Sequence, residues 1–275
     1  MKDVAICILT RDRSDRQTTL ENLPDRLKAI TYLVVDKAEY SKHKKYKRDV
    51  KAILTMPKGY GKFGGNFSDK KQWTSEAINE RYYFIVDDDL KFDARRDGRL
   101  VKANTREVYN AFNTMYGWLK NGFAHVALSA REGNNRVEQD WIDVARGMRV
   151  CGFDLNVIKE QKLEFNRTVL MADFDIALSL LESGYPNRIL FKYSNGHRKI
   201  NDVGGCSLYR TPELMAEAAN SLRGFHPKYV KVTEKITSKP WAGFDSKTRT
   251  DVTVSWKKAY EFGKSKGTIG IKNFL

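Results

Sequence analysis

Cysteine is scarce in this sequence: Cys7, Cys151 and Cys206 are all it has in 275 residues. An odd count without metal-ligand spacing excludes a disulfide framework and a thiolate zinc site. Buried free thiols in a reducing compartment are expected instead. Long apolar runs are lacking as well. Stretches such as Tyr82–Val86 and Ala124–Ala130 are far shorter than the roughly 20 residues a membrane-spanning helix needs. Met1-Lys2-Asp3 enters a strand-like run at once, without the pattern of a secretory signal. A cytoplasmic protein with no membrane partner is the expectation. No internal repeat, low-complexity segment or clear linker interrupts the chain, which points to one domain with a basic tail.

Apolar residues make up 41% of the chain and aromatics 12%, enough for a substantial core and too much for a mainly disordered protein. Charge is unbalanced, with 49 Lys and Arg against 34 Asp and Glu, a net +15. A field of that sign attracts a polyanion: nucleic acid, an anionic membrane surface or an anionic glycan. Two stretches hold much of the excess. One runs from Lys37 through Lys42, Lys44, Lys45, Lys47, Arg48 and Lys51 to Lys58 and Lys62. The other is the C-terminal segment, where Lys257, Lys258, Lys264 and Lys266 are candidate nucleic-acid contacts.

Continuous apolar runs read as buried strands at Asp3–Thr10, Thr31–Val35, Ala52–Met56, Tyr82–Val86, Ala124–Ser129, Met148–Leu155 and Asn187–Tyr193. Helices are expected over Thr18–Leu23, Asp69–Asn79, Thr105–Lys120, Asp173–Ser183 and Pro212–Leu222, and Arg131–Trp141 reads as a surface loop. Strands and helices in this order predict an α/β fold with a mostly parallel sheet flanked by helices. The expected division is residues 1–225 as the main domain and 226–275 as a basic extension packed on or appended to it.

Ligand sites in such sheets lie beyond the carboxyl ends of the strands. Asp87-Asp88-Asp89 follows the fourth strand directly. Adjacent carboxylates repel one another unless a cation or hydrogen-bond donors offset them. Extended chain would turn Asp87 and Asp89 to one side, a spacing suited to one contact with Mg²⁺ or Mn²⁺ and one with a ribose or a metal-bound water. The plainer alternative is a solvated acidic turn. The loop Lys58–Gly65 lacks the Gly-Lys-Ser/Thr ending of a P-loop. Its glycines suit either close approach to a ligand or a tight turn, and Gly204-Gly205-Cys206 is a second such element.

The helix and strand of Lys70–Phe92, ending in Ile85-Val86-Asp87-Asp88-Asp89, resemble the DXD signature of GT-A glycosyltransferases. Ile8-Leu9-Thr10-Arg11-Asp12-Arg13 is similar to the first-strand end of that Rossmann-like fold, where the loop grips the nucleoside. Met171-Ala172-Asp173-Phe174-Asp175-Ile176 is similar to the acidic helix start that carries the base of inverting members, with Ala172 where the first acid is usual. The three segments lie in family order between residues 4 and 185. The resemblance implies a nucleoside-diphosphate sugar donor, UDP foremost, and a divalent metal. It implies donor contacts from Thr10, Arg11, Arg13, Asp36, Lys70, Asp87 and Asp88, with Asp88 alternatively a structural acid. It makes Asp89 the metal ligand, with His197, or else His226, completing the shell, and Asp173 the general base, for which a helix cap is the alternative. Lys71 adds charge beside Lys70.

Basic charge and small size are similar to the TET-associated glycosyltransferases of bacteriophages. That implies DNA as the partner and 5-hydroxymethylcytosine as the acceptor. Three other readings stand beside it: transfer to a glycan or lipid-linked acceptor, nucleotidyl transfer, and nucleic-acid binding without catalysis. The last would use Tyr229, Trp241, Phe244, Trp256, Tyr260 and Phe262 to stack on bases.

Overall fold

A computed structural model describes residues 1–134, 137–197, 205, 209–236 and 248–267. The strands are β1 (Val4–Leu9), β2 (Thr31–Asp36), β3 (Ala52–Met56), β4 (Tyr82–Asp87), β5 (Leu90–Arg96) and β6 (Arg99–Lys102). They continue with β7 (His125–Ala130), β8 (Trp141–Asp143), β9 (Val150–Asp154), β10 (Asn187–His197), β11 (Val230–Ile236) and β12 (Thr248–Val254). Short helices α1 (Thr18–Asn22), α2 (Asp25–Lys28) and α3 (Tyr40–His43) precede α4 (Phe67–Ala77) and α5 (Thr105–Lys120). After them come α6 (Arg131–Asn134), α7 (Leu155–Glu160), α8 (Ala172–Glu182), α9 (Pro212–Phe225) and α10 (Trp256–Ser265).

The main sheet runs β3-β2-β1-β4-β9-β7-β10-β5-β6, with β8 beside β10. β3, β2, β1 and β4 are mutually parallel. β9 is inserted antiparallel between β4 and β7, so those two still point the same way. β10 is parallel to β7, and β5 antiparallel to β10. The mostly parallel sheet is as expected from the continuous apolar strands. Burial on both faces explains the lack of alternation: Val4, Ile6 and Ile8 of β1 join a core with Val108, Phe112 and Met115 of α5. Ala5, Cys7 and Leu9 face the opposite side, toward Ile176 and Leu180 of α8. Successive side chains on one strand therefore feed two cores. Cys7 and Cys151 are free and buried, as expected, and burial raises both thiol pKa values; Cys206 lies outside the described residues.

The sheet's carboxyl edge gathers the segments that matter for function: Thr10 after β1, Asp36 closing β2 and Asp87 closing β4. α4 starts close to this edge because Asn66 caps it, accepting from the Asp69 amide at 3.0 Å. The glycine-rich loop wraps around the same helix end. Asp69 accepts from the amides of Lys62 (2.9 Å), Phe63 (2.8 Å) and Gly65 (3.0 Å). Gly61, at φ +84°, passes so near that a Cβ there would lie 2.7 Å from the Cβ of Asp69. The close approach this structure shows for the loop is to Asp69.

The described residues beyond 225 pack onto the body. Tyr229, Val230 and Ala259 share an apolar cluster with Phe174, Leu178 and Leu181 of α8 and Leu222 of α9. Trp256 stacks on Phe174 at 5.7 Å and Tyr229 meets Phe262 at 6.1 Å. Tyr229 is buried and Trp256, Tyr260 and Phe262 are partly buried against this cluster, so all four serve packing; Trp241 and Phe244 lie outside the described residues. Lys257, Lys258, Lys264 and Lys266 stay exposed on α10. In the other basic stretch, Lys37, Lys42, Lys44, Lys45, Lys47 and Arg48 are exposed around short helical turns. No helix among the described residues is long and apolar enough to cross a membrane.

Candidate active site

At the end of β1, Thr10 is buried and its carbonyl accepts from the Lys70 ammonium at 2.8 Å. That ammonium also lies 3.2 Å from Asp36, which Arg11 grips at 2.7 and 3.2 Å. Arg11 reaches on to the carbonyl of Gly65. Lys70 is wholly buried, and desolvation lowers its pKa to about 8 although Asp36 pulls upward. For Asp36, burial acts upward, but Arg11 and Lys70 prevail and hold the carboxyl below its ordinary range. Lys70 is therefore a strut joining β1 to β2 and has no exposed surface to offer a donor directly. Gly205 lies over this corner, its amide donating to the Arg11 carbonyl at 3.2 Å. The second glycine segment thus meets the first-strand loop through Gly205; Gly204 and Cys206 lie outside the described residues.

β4 stops at Asp87, so the alternation expected through Asp89 ends there. Arg13 bridges the other two acids, 2.5 Å from Asp88 and 3.0 Å from Asp89. Arg13 and Asp88 are both buried, and their contact ties the β1 loop to the end of β4. Asp87 is half-buried, and its carboxylate has no hydrogen-bond donor among the described residues. Burial, with Asp89 and Asp88 nearby, raises its pKa to about 7, and Lys71 and Arg149 act in the opposite direction. Charge crowded in this way suits a bound cation. Among the described residues no group of three or more His, Cys, Asp or Glu side chains forms a ready metal cluster. The backbone of His197 pairs with Leu90, one residue from Asp89, and its side chain lies outside the described residues.

Asp87 opens onto a pocket whose other charged groups are Asp173, Lys71 and Arg149, above a floor that includes Ile85, Phe153 and Ile176. The two acids of α8 differ sharply. Asp173 is half-buried, faces this pocket and meets Arg146 at 3.3 Å. It is not the helix cap: that position is Met171, at φ +63°, and it makes no side-chain capping bond. Asp175 points the other way into a buried network. It accepts from Arg167 at 2.9 and 2.5 Å and lies 3.0 Å from His226 Nε2, while His226 Nδ1 lies 2.6 Å from Glu182. Burial pulls His226 down, yet Asp175 and Glu182 outweigh it and the histidine pKa is raised. Both ring nitrogens are engaged, so His226 has none left for a metal.

A family model described as TET-Associated Glycosyltransferase matches residues 4–205, most of the chain. The chain belongs to the TET-associated glycosyltransferase family. A curated relative, beta-glucosyl-HMC-alpha-glucosyl-transferase of Enterobacteria phage T6, is 23% identical over 190 residues, covering 65% of this chain and 66% of the relative. The structure of S. aureus TarS residues 1–349 in complex with UDP-GlcNAc matches with a TM-score of 0.51 at 12% identity, covering 80% of this chain and 66% of that one. The chain thus spans just under two thirds of the length of either protein. At that identity the TarS likeness establishes the fold, the α/β architecture of GT-A type expected from the sequence.

Within this family member, the pocket brings together Asp87 and Asp173 and leaves Thr10, Arg11, Asp36 and Lys70 as an adjoining, internally bonded corner. Arg149 went unnoticed in the sequence. It sits at φ +64°, a left-handed conformation that costs a non-glycine residue about 1–2 kcal/mol. Its carbonyl accepts from the Asp87 amide at 3.0 Å, which fixes it beside the acid. Asp69 and the Arg167–Asp175–His226 network were missed too. Their partners lie up to 97 residues away in sequence, and no local pattern signals such pairings.

Proposed function

We propose that this chain transfers a sugar from a nucleoside diphosphate, UDP foremost, to a hydroxyl on 5-hydroxymethylcytosine in DNA. The observation that carries the reading is the pocket at the carboxyl end of β4, where Asp87 and Asp173 share one space. The corner formed by Thr10, Arg11 and Asp36 is suited to the nucleoside, with Lys70 holding it rigid. Asp87 and Asp89 are suited to hold Mg²⁺ or Mn²⁺, which when bound would offset charge on the diphosphate. Asp173 takes the proton of the acceptor hydroxyl as that oxygen bonds to the anomeric carbon. The bond from that carbon to the phosphate oxygen breaks, and its electron pair leaves with the nucleoside diphosphate. The apolar floor excludes water that would compete as acceptor.

DNA as acceptor is supported by the net charge of +15 and the exposed lysines of α10, and by the name of the phage T6 relative. That name also favours a second acceptor, a glucose already attached to the hydroxymethyl group. One experiment tests all of this. Duplex DNA carrying cytosine, 5-hydroxymethylcytosine or its glucosylated form is incubated with labelled nucleotide sugars, with Mn²⁺ or with chelator. Label is expected only on hydroxymethylated or glucosylated DNA, because cytosine lacks the nucleophile. Labelling of a simple glycan and of none of the DNAs would refute the DNA reading.

A further inference from the structure

We propose that Lys71 and Arg149 form a phosphate-binding pair that takes the charge developing on the nucleoside diphosphate as it departs. The inference rests on the donor reading above and extends it to two residues outside the acidic cluster. Both line the pocket that holds Asp87 and Asp173. Lys71 is half-buried, and among the described residues its ammonium has no hydrogen bond or ion pair. Its neighbour Lys70 shows the contrast, lying 2.8 Å from the Thr10 carbonyl and 3.2 Å from Asp36. One turn-step along α4 points Lys70 into the protein and Lys71 into the pocket.

Arg149 carries the second, independent observation. Its left-handed backbone, at φ +64°, is unusual for a long side chain. Strained conformations persist where surrounding structure enforces them, and they gather at ligand sites. Here the enforcement is visible: the Asp87 amide donates to the Arg149 carbonyl at 3.0 Å, and the Val150 amide to the Met148 carbonyl at 2.7 Å. The side chain meets Glu132 at 3.1–3.2 Å, and Glu132 is largely exposed. A guanidinium on an exposed carboxylate exchanges readily for a bidentate phosphate contact.

When the acceptor oxygen bonds to the anomeric carbon and its proton passes to Asp173, the bond to the β-phosphate oxygen breaks. The electron pair stays on that oxygen. The Lys71 ammonium, and the Arg149 guanidinium once it exchanges Glu132 for phosphate, meet this charge from the pocket wall. Structural neutralisation of Asp87 is the rival role, and the two differ in what they do to nucleotide selectivity.

The test is binding of UDP and UMP, with GDP and GMP in parallel, by titration calorimetry in excess EDTA. It is repeated in Mn²⁺ where EDTA binding falls below detection. The proteins are wild type, Lys71→Met, Lys71→Arg and Arg149→Met, each checked by thermal melting. Wild type is expected to prefer the diphosphate. Lys71→Met and Arg149→Met should each cut that preference about tenfold, the loss of one charged hydrogen bond, and Lys71→Arg should retain most of it. Equal weakening of diphosphate and monophosphate, or no preference in wild type, overturns the phosphate role. Failure of wild type to bind any nucleotide overturns the donor reading itself. If Arg149→Met does not fold, the Lys71 pair of variants decides.

Discussion

Asp173 and Asp175 stand two residues apart on α8, and asparagine at each tests the proposal that the first is the base and the second a structural acid. Asp175 is 1% exposed and holds Arg167 and His226 together across residues 167–226. An amide there leaves the buried, doubly bonded His226 and the partly exposed Arg167 guanidinium facing a neutral group. Removing one partner of a buried pair costs about 3–5 kcal/mol. In a chain of this size that lowers the melting temperature by roughly 10 °C. Among the described residues Asp173 pairs only with the 42%-exposed Arg146. A half-exposed pair of this kind contributes about 0–1 kcal/mol. Asp173→Asn should therefore melt within about 3 °C of wild type while turnover falls about a hundredfold or more with donor affinity little changed. The pH profile adds a check. His226 is raised from 6.5, so its stabilisation is full below that value and is lost as pH rises through the higher folded pKa. Burial pushes Asp175 up, but His226 and Arg167 bring it below 3.8. Its stabilisation holds above 3.8 and is lost as pH falls through the lower folded value. Asp175→Asn should flatten both limbs of a melting-temperature profile. Loss of turnover in Asp175→Asn without loss of stability, or the reverse pattern in Asp173→Asn, would refute the assignment.

Asp89→Ala should abolish the stimulation of transfer by Mn²⁺ and leave the melt little changed, since Arg13 keeps its pair with Asp88; full turnover in that variant, or in excess EDTA, rules out the metal site. Replacing Lys257, Lys258, Lys264 and Lys266 by Gln should reduce the salt slope of binding to hydroxymethylated duplex by about 3–4. Hydrolysis of the donor by water should be unaffected, and an unchanged slope in fluorescence anisotropy removes α10 from the DNA surface. Gly263→Ala should lower stability by about 1–3 kcal/mol, because its Cβ would come within 2.1 Å of the Leu181 carbonyl of α8; an unshifted denaturation midpoint would mean that the extension is not docked as described.

Why some of this was legible and some was not follows from the range of the interactions involved. β3 and α5 have the bounds expected from sequence, because a five-residue apolar run closed by Pro57 and a capping box of Asn104 and Glu107 are local signals. The β5–β6 hairpin carried a local signal that went unread. Leu90, Phe92 and Ala94 alternate with Lys91, Asp93 and Arg95, and Asp97-Gly98 makes the turn, both at positive φ. Charge at every second position hid a strand whose other face is buried. The β11–β12 pair is masked in the same way by charge, Lys231, Glu234 and Lys235 on β11 and Arg249 and Asp251 on β12, which makes it look like a tail. In the site, the acidic cluster stood out because repulsion between neighbouring carboxylates needs no knowledge of the fold. What those acids do depends on cations brought from elsewhere: Arg13 from the β1 loop, Lys71 from α4 and Arg149 from the turn before β9. Three aspartates alike in sequence thereby become two bridged by Arg13, one of them buried, and one open to the pocket. The fold, by choosing which cation meets which acid, assigns the chemistry.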